Sequence, residues 1–175
     1  LEKMCPHFHL SLQSGCDATL KRMNRRYTAE EYYEKCELLR KYFDHPALTT
    51  DVIVGFPQES DEEFEITKKF LEKVNFYETH IFKYSRRKGT RADRMEGQIP
   101  EDIKTQRSHV LQELHEKNKR RFEEYYIGRP VEVLFEEKVE KDGVECYQGH
   151  TREYLKVTVP DMGEDLHNKI CDCIL

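Results

Sequence analysis

The spacing of apolar and polar residues changes period several times along the chain, and each change marks a predicted element. From His7 to Gly15, Phe8, Leu10 and Leu12 alternate with His7, His9, Ser11 and Gln13, which predicts a strand with one apolar and one polar face running into a loop. A polar face inside an α/β layer is costly unless it lines a wet cavity, so this strand is a candidate for a barrel interior. Thr28-Ala-Glu-Glu31 then reads as a capping box, with Tyr32, Cys36, Leu39 and Phe43 at helical spacing up to the break at Asp44-His45-Pro46. The β-branched run Thr49-Thr50-Asp51-Val52-Ile53-Val54 is released at Gly55 and stopped at Pro57, as a buried central strand would be. A second capping box, Ser60-Asp-Glu-Glu63, opens a helix with Phe64, Thr67, Leu71 and Val74 on one face, and residues 76–84 read as a third strand.

This order of strand, helix, strand, helix, strand implies parallel strands joined by right-handed crossovers. Three such strands are too few for a complete barrel, and the expectation is that they form its second half. Residues 83–98 are polar, carry Gly89 and Gly97, and read as a loop. Pro100 then starts the longest helix, with Ile103, Val110, Leu111, Leu114, Phe122 and Tyr125 as its buried stripe and Gly128 at its end. Beyond it the period falls to two: Val131, Val133 and Phe135 alternate, Lys141-Asp142-Gly143 reads as a hairpin turn, and residues 154–159 and 169–175 read as further strands. The expected organisation is α/β: a partial barrel over residues 1–98, a linking helix over 99–128, and a small antiparallel β module over 129–175. The chain begins with Leu and stops inside a strand-like run, so an excised piece of a longer protein is expected.

Composition narrows the functional classes. Of the 175 residues 37% are hydrophobic and 36% charged, a lean core and a wet surface, yet nine Phe and ten Tyr argue for a folded chain. A net charge of −5 gives no global attraction for a polyanion. Positive charge is instead local: Lys83, Arg86, Arg87, Lys88, Arg91 and Arg94 fall within twelve residues interrupted by one acid, Asp93. They form either an RNA-phosphate contact or a solvated charged loop. No apolar run approaches the ~20 residues needed to span a bilayer, and no signal-peptide pattern opens the chain, so the cytoplasm and a partner other than membrane are expected. Cys5, Cys16, Cys36, Cys146, Cys171 and Cys173 follow no zinc or iron-sulfur spacing and suit reduced thiols.

Candidate chemistry gathers at the predicted strand ends, where parallel α/β folds meet ligands. Gln13, Ser14 and Gly15 offer an amide, a hydroxyl and a bare backbone to a polar ligand, or form a simple loop start. Asp51 either sits beneath a ligand or caps a turn, and Gly55 and Phe56 lie at the same strand end. Arg25 either pairs bidentately with a carboxylate or phosphate or points into solvent. His7 and His9, two apart on a strand, point the same way, but no third metal ligand is near in sequence, so they read as polar barrel-face residues. No nucleophile elbow, phosphate loop, dinucleotide fingerprint or H-E-x-x-H motif occurs, and no catalytic residue is assigned.

Taken in order, His9-Leu-Ser-Leu-Gln-Ser-Gly15, Leu20-Lys-Arg-Met-Asn-Arg-Arg-Tyr-Thr28, Thr50-Asp-Val-Ile-Val-Gly-Phe-Pro57 and Phe82-Lys-Tyr-Ser-Arg-Arg-Lys-Gly-Thr-Arg-Ala92 resemble the successive motifs of the radical S-adenosylmethionine methylthiotransferases, over almost the whole chain. Within that family, the first motif, the paired Thr before Asp51, and His80-Ile-Phe82 are most similar to the branch that adds a methylthio group to C2 of N6-threonylcarbamoyladenosine at tRNA position 37. The isopentenyl-adenosine and ribosomal-protein branches are the alternatives within the family, and a non-catalytic RNA-binding module the alternative outside it. The resemblance implies a radical S-adenosylmethionine (β/α) barrel and, in Gly149-His-Thr-Arg-Glu-Tyr154, a TRAM-like β-barrel short of its last strand. It implies S-adenosylmethionine and two [4Fe-4S] clusters in the full-length protein: one would cleave S-adenosylmethionine to methionine and a 5′-deoxyadenosyl radical that abstracts hydrogen from C2 of the adenine, and a sulfur on the second would be inserted there and methylated. It also implies a tRNA anticodon stem-loop as partner. The C-x-x-x-C-x-x-C cluster loop is absent, so the chain itself is expected to be inactive, and Gln58 stands where the family usually has Gly. By carry-over, Gln13, Ser14, Arg25, Asp51, Gly55 and Phe56 match positions near the cofactor pocket, with Arg25 toward the cofactor carboxylate and Gly55 permitting close backbone approach. Lys83, Arg86, Arg87, Lys88, Arg91 and Arg94, with Thr151 and Tyr154 of the β module, match the RNA-facing positions.

Overall fold

A computed structural model describes residues 3–175 of the chain, so the first two residues of the expected 1–98 segment lie outside the described residues. The chain divides into two compact units: Phe8–Arg120, and Arg121–Leu175 together with the short segment that ends at His7. The division falls inside the long helix rather than at either of its ends.

The first unit is built on a three-stranded parallel sheet of β1 (His7–His9), β2 (Ala47–Val54) and β3 (Glu78–Lys83), in that order. β1 lies at one edge of this sheet. Its regular pairing is short, but the backbone stays zipped to β2: Leu10 N–H donates to Thr49 O at 2.9 Å, and Gln13 both donates to Asp51 O at 2.8 Å and accepts from Ile53 N–H at 2.9 Å. The α1 helix (Asp17–Arg22) follows. Its six residues are too few to give a periodic signal, and the sequence pattern does not reveal it. The α2 helix (Ala29–Tyr42) and the α3 helix (Asp61–Val74) start where their capping boxes predict. Thr28 accepts from Glu31 N–H in one and Ser60 from Glu63 N–H in the other, and each Glu returns a bond to the cap backbone.

The core is the meeting of two periods. Leu12, Leu48, Val52 and Val54 from one face of the sheet pack against Tyr32 and Cys36 of α2 and Phe64, Phe70, Leu71 and Val74 of α3. The opposite face carries His9, Asp51 and His80 and is partly solvated. Residues 83–98 are largely loop, with one 3-10 turn at Ala92–Arg94. The α4 helix (Glu101–Tyr126) covers the β3 side, where Thr79 N–H donates to His115 Nδ1 at 3.2 Å. Its buried side includes the apolar stripe the spacing predicts, with Val110 and Leu114 half-buried against the core, but it holds charged and polar residues too. Leu111 and Phe122 are buried, but so are Lys104, Arg107, Ser108 and Asn118, because the surface beneath offers carbonyls and carboxylates.

The second unit is a four-stranded antiparallel sheet in the order β6-β5-β4-β7, from β4 (Pro130–Lys141), β5 (Val144–Thr151), β6 (Lys156–Pro160) and β7 (Lys169–Ile174). Asp142 and Gly143 close the β4–β5 hairpin with φ of 53° and 76°, the left-handed pair that a tight hairpin requires. β5 is the strand the sequence pattern misses: the adjacent apolar pair Cys146-Tyr147 breaks its alternation, and Gln148 and His150 follow as polar residues. Val133, Phe135, Tyr147 and Val157 make its small core. Gly149 faces the β4 backbone so closely that an added Cβ would lie 2.1 Å from Leu134 O. Gly149→Ala is therefore expected to cost about 1–3 kcal/mol, read as a lower midpoint in urea unfolding of the chain.

Candidate functional site

The carboxyl ends of β1 and β2 are held by charge rather than by packing alone. Gly55 leaves β2 with φ +72°, and its N–H donates to Glu59 Oε2 at 2.7 Å. Arg107 of α4 donates from Nη1 to the same carboxylate at 2.7 Å and to Glu59 O at 3.1 Å, and from Nη2 to Asp61 at 2.8 Å. Glu59 and Arg107 are both buried, at 2% and 5% exposure. Burial pushes the Glu59 carboxyl up, while the Gly55 N–H and the Arg107 guanidinium pull it back. Lys104, one turn earlier on α4, donates to Tyr84 O at 3.0 Å. Its stem fills the space where a Cβ at Gly55 would sit, 2.3 Å from Cγ. The close approach that Gly55 permits is thus made by α4. Sequence reading misses Glu59, Lys104 and Arg107, whose partners come together only where α4 meets the loop after β2.

The predicted cofactor residues do not all face one way. Gln13, with φ 70°, is buried four residues beyond β1, where it bridges to Val52 of β2, and its side-chain amide has no hydrogen-bond partner among the described residues. Ser14 is fully buried, its hydroxyl within 3.0 Å of Thr67 Oγ1 and accepting from Cys16 N–H, which ties the loop to α3. Phe56 packs edge-on to Tyr84, ring centroids 5.2 Å apart. Arg25 is exposed and lies within electrostatic reach of Tyr27, whose hydroxyl donates to Leu12 O at 2.8 Å. Burial raises the Tyr27 phenol, and the Arg25 charge opposes that rise. The arginine that grips a carboxylate bidentately is Arg22 of α1, which bonds both Glu63 oxygens. Asp51 projects from the open face of β2 and accepts from Ser11 Oγ at 2.9 Å. His9 Nε2 lies 3.2 Å from the same oxygen and His80 lies beside it, so the third ligating group absent from the local sequence around His9 arrives from β2 and β3. His7 belongs to the other unit, against Tyr154.

The basic loop is ordered by its single acid. Asp93 accepts from Arg86 Nε at 3.0 Å and from Gly89 N–H at 3.3 Å. Lys83 is engaged by Glu101 at 2.6 Å. Arg87, Lys88, Arg91 and Arg94 are exposed and have no side-chain partner among the described residues. Thr151 is buried and holds the β5–β6 turn through Leu155 N–H. Tyr154, with φ 69° and half exposed, stacks on His150 at 4.2 Å and 8°.

The radical SAM superfamily model matches residues 1–71. The chain is 42% identical over 86% of its length to the tRNA-2-methylthio-N(6)-dimethylallyladenosine synthase of Acetivibrio thermocellus. It is 38% identical over 97% of its length to the threonylcarbamoyladenosine tRNA methylthiotransferase MtaB of Bacillus subtilis, and 42% identical over 88% to that of Thermotoga maritima. It spans 31%, 38% and 35% of the lengths of these relatives. Among the described residues no helix is long and apolar enough to cross a membrane.

Two outcomes follow from these contacts. Arg107→Leu leaves Glu59 charged and buried without its partner and is expected to cost about 3–5 kcal/mol in urea unfolding at neutral pH. The Arg22 guanidinium holds the Glu63 carboxyl below its ordinary value of 4.5. The folded chain therefore binds that proton less readily than the unfolded one. The pair's stabilisation is complete above about pH 4.5 and is lost as pH falls through the lower folded value. In Glu63→Gln, melting temperature should fall less steeply with acid than in the parent chain.

Proposed function

Because the chain belongs to the MiaB-like radical SAM family, we propose that the protein it forms part of is a tRNA methylthiotransferase, and that this chain supplies the rear wall of its barrel and a TRAM-like RNA grip. The observation that carries the reading is identity to such enzymes along nearly the whole chain, 38% over 97% of it for the Bacillus subtilis relative. The finer proposal is that the substrate is N6-threonylcarbamoyladenosine at position 37 in the anticodon stem-loop. The relatives carry both substrate names, and what favours this one is the paired Thr49-Thr50 before Asp51 and the His80-Ile-Phe82 segment. The protein's working compartment is taken to be the cytoplasm.

S-adenosylmethionine, bound by the whole protein, supplies both a methyl group and the precursor of the reactive radical. Two groups in this chain fit part of that ligand: the unpartnered Gln13 amide, an acceptor and donor for a polar heterocycle or amine, and the exposed Arg25 guanidinium, a partner for its carboxylate. Phe56 and Tyr84 pack edge-to-face beside the adjoining loop. The [4Fe-4S] clusters do not fit this chain's own residues: the only metal-competent cluster among the described residues contains no cysteine. The two clusters of the full-length protein are therefore assigned to cysteines outside these 175 residues.

Arg87, Lys88, Arg91 and Arg94 meet phosphates, and the stacked His150–Tyr154 pair offers an aromatic face to a base. Iron-reconstituted full-length protein incubated with unmodified and precursor tRNAs should convert threonylcarbamoyladenosine to its methylthio derivative, read by mass analysis of nucleosides. Conversion of the dimethylallyl nucleoside alone would move the protein to that branch, and conversion of neither would remove the enzymatic reading. Replacing Arg87, Lys88, Arg91 and Arg94 together by Ala should flatten the dependence of log tRNA affinity on log salt by about 0.7–0.9 for each lost phosphate contact.

A further inference from the structure

Three neighbouring parallel strands each place one ligating side chain on the same open face of the sheet. His9 comes from β1, Asp51 from β2 and His80 from β3, and Asp51 and His80 are direct register partners. One ligand atom from each lies within 4.8 Å of the others. We propose that these three side chains bind a single divalent transition-metal ion, a site distinct from any iron-sulfur cluster and independent of the reaction proposed above.

The donor set selects the ion. Two imidazoles and one carboxylate suit Zn2+, Co2+ or Fe2+, whereas Mg2+ and Ca2+ prefer all-oxygen shells, and without a thiolate the set does not suit a cluster. Three protein ligands leave coordination positions for water or for a carboxylate oxygen of a ligand.

The supporting contacts are those a metal site requires. His9 Nδ1 lies 2.9 Å from Thr49 Oγ1, and Ser11 Oγ donates to Asp51 Oδ2 at 2.9 Å. With Nδ1–H donated to Thr49, the lone pair of Nε2 faces the Asp51 oxygen 3.2 Å away. With Nε2–H instead donated to Asp51 no cation is called for, but in the Nδ1–H tautomer the two lone pairs repel and a cation between them removes the repulsion. That tautomer, with the distal ring nitrogen anchored, is the one metal-bound histidines adopt. A proton in the gap would also join His9 to Asp51, but it gives His80 no part. The His80 imidazole sits 5.8 Å from the His9 ring, makes no hydrogen bond among the described residues, and stays free to complete the set.

The test is a titration of the chelator-treated 175-residue chain with Co2+, followed by visible absorption. One cobalt per chain is expected, with ligand-field bands and no thiolate charge-transfer band in the near ultraviolet. Asp51→Asn and His80→Asn should abolish saturable binding. Thr49→Val should weaken it about 10–100-fold, as loss of an orienting partner does. The Cys171→Ser/Cys173→Ser variant should bind as the parent does. Circular dichroism of each variant reports the fold, and His80, being exposed, can be replaced without opening the core. Absence of saturable bands in the parent, equal binding by His80→Asn, or a thiolate band that disappears with the cysteines would each overturn the proposal.

Discussion

The first unit depends on one buried ion pair. Arg107 reaches from α4 across to the loop that leaves β2, and the carboxylate it meets, Glu59, also holds the N–H of Gly55. The pair is costly to bury, and each remaining lone pair or proton needs a partner to offset that cost. The structure supplies most of them: Gly55 N–H, Glu59 O and Asp61. The consequence is positional. The pair fixes where β2 ends, how Phe56 turns toward Tyr84, and where α3 begins. Through the parallel pairing of Gln13 with β2 it also fixes the end of β1.

The same logic separates the two faces of the sheet. One is sealed by aliphatic and aromatic side chains from α2 and α3 and does no chemistry. The other carries hydroxyls, imidazoles and a carboxylate arranged in rows across the strands, His9 beside Asp51 beside His80. Period-two alternation in a strand makes such a division automatic once one face is buried.

Much of this was legible in the residues. The capping boxes at Thr28 and Ser60 located two helix starts because their chemistry is local: a hydroxyl, a glutamate, and a spacing of three. The central strand was legible from β-branching and its Gly-Phe-Pro exit. What escaped was either too short or too dependent on distant partners. α1 has six residues and no period to detect. β5 hides its alternation behind polar residues that reach toward other strands, His150 to Glu136 and Gln148 to Glu137. Arg107 and Lys104 look like surface charges until α4 is laid on the strand ends. In the candidate site, Arg22 rather than Arg25 takes the bidentate carboxylate partner, because only the fold brings Glu63 beside α1. The His9, Asp51 and His80 cluster could not be found from local spacing, since 42 and 29 residues separate its members along the chain.

The central claim is that the ends of β1 and β2, with Arg25 beside them, face S-adenosylmethionine in the whole protein. The most direct measurement is the affinity of the cluster-loaded full-length protein for S-adenosylmethionine, compared between the parent and Arg25→Ala by equilibrium dialysis at equal iron content. Loss of one charge-assisted hydrogen-bonding group should weaken binding about 10–100-fold. Unchanged affinity in Arg25→Ala would contradict the account and leave that guanidinium as a solvated surface charge.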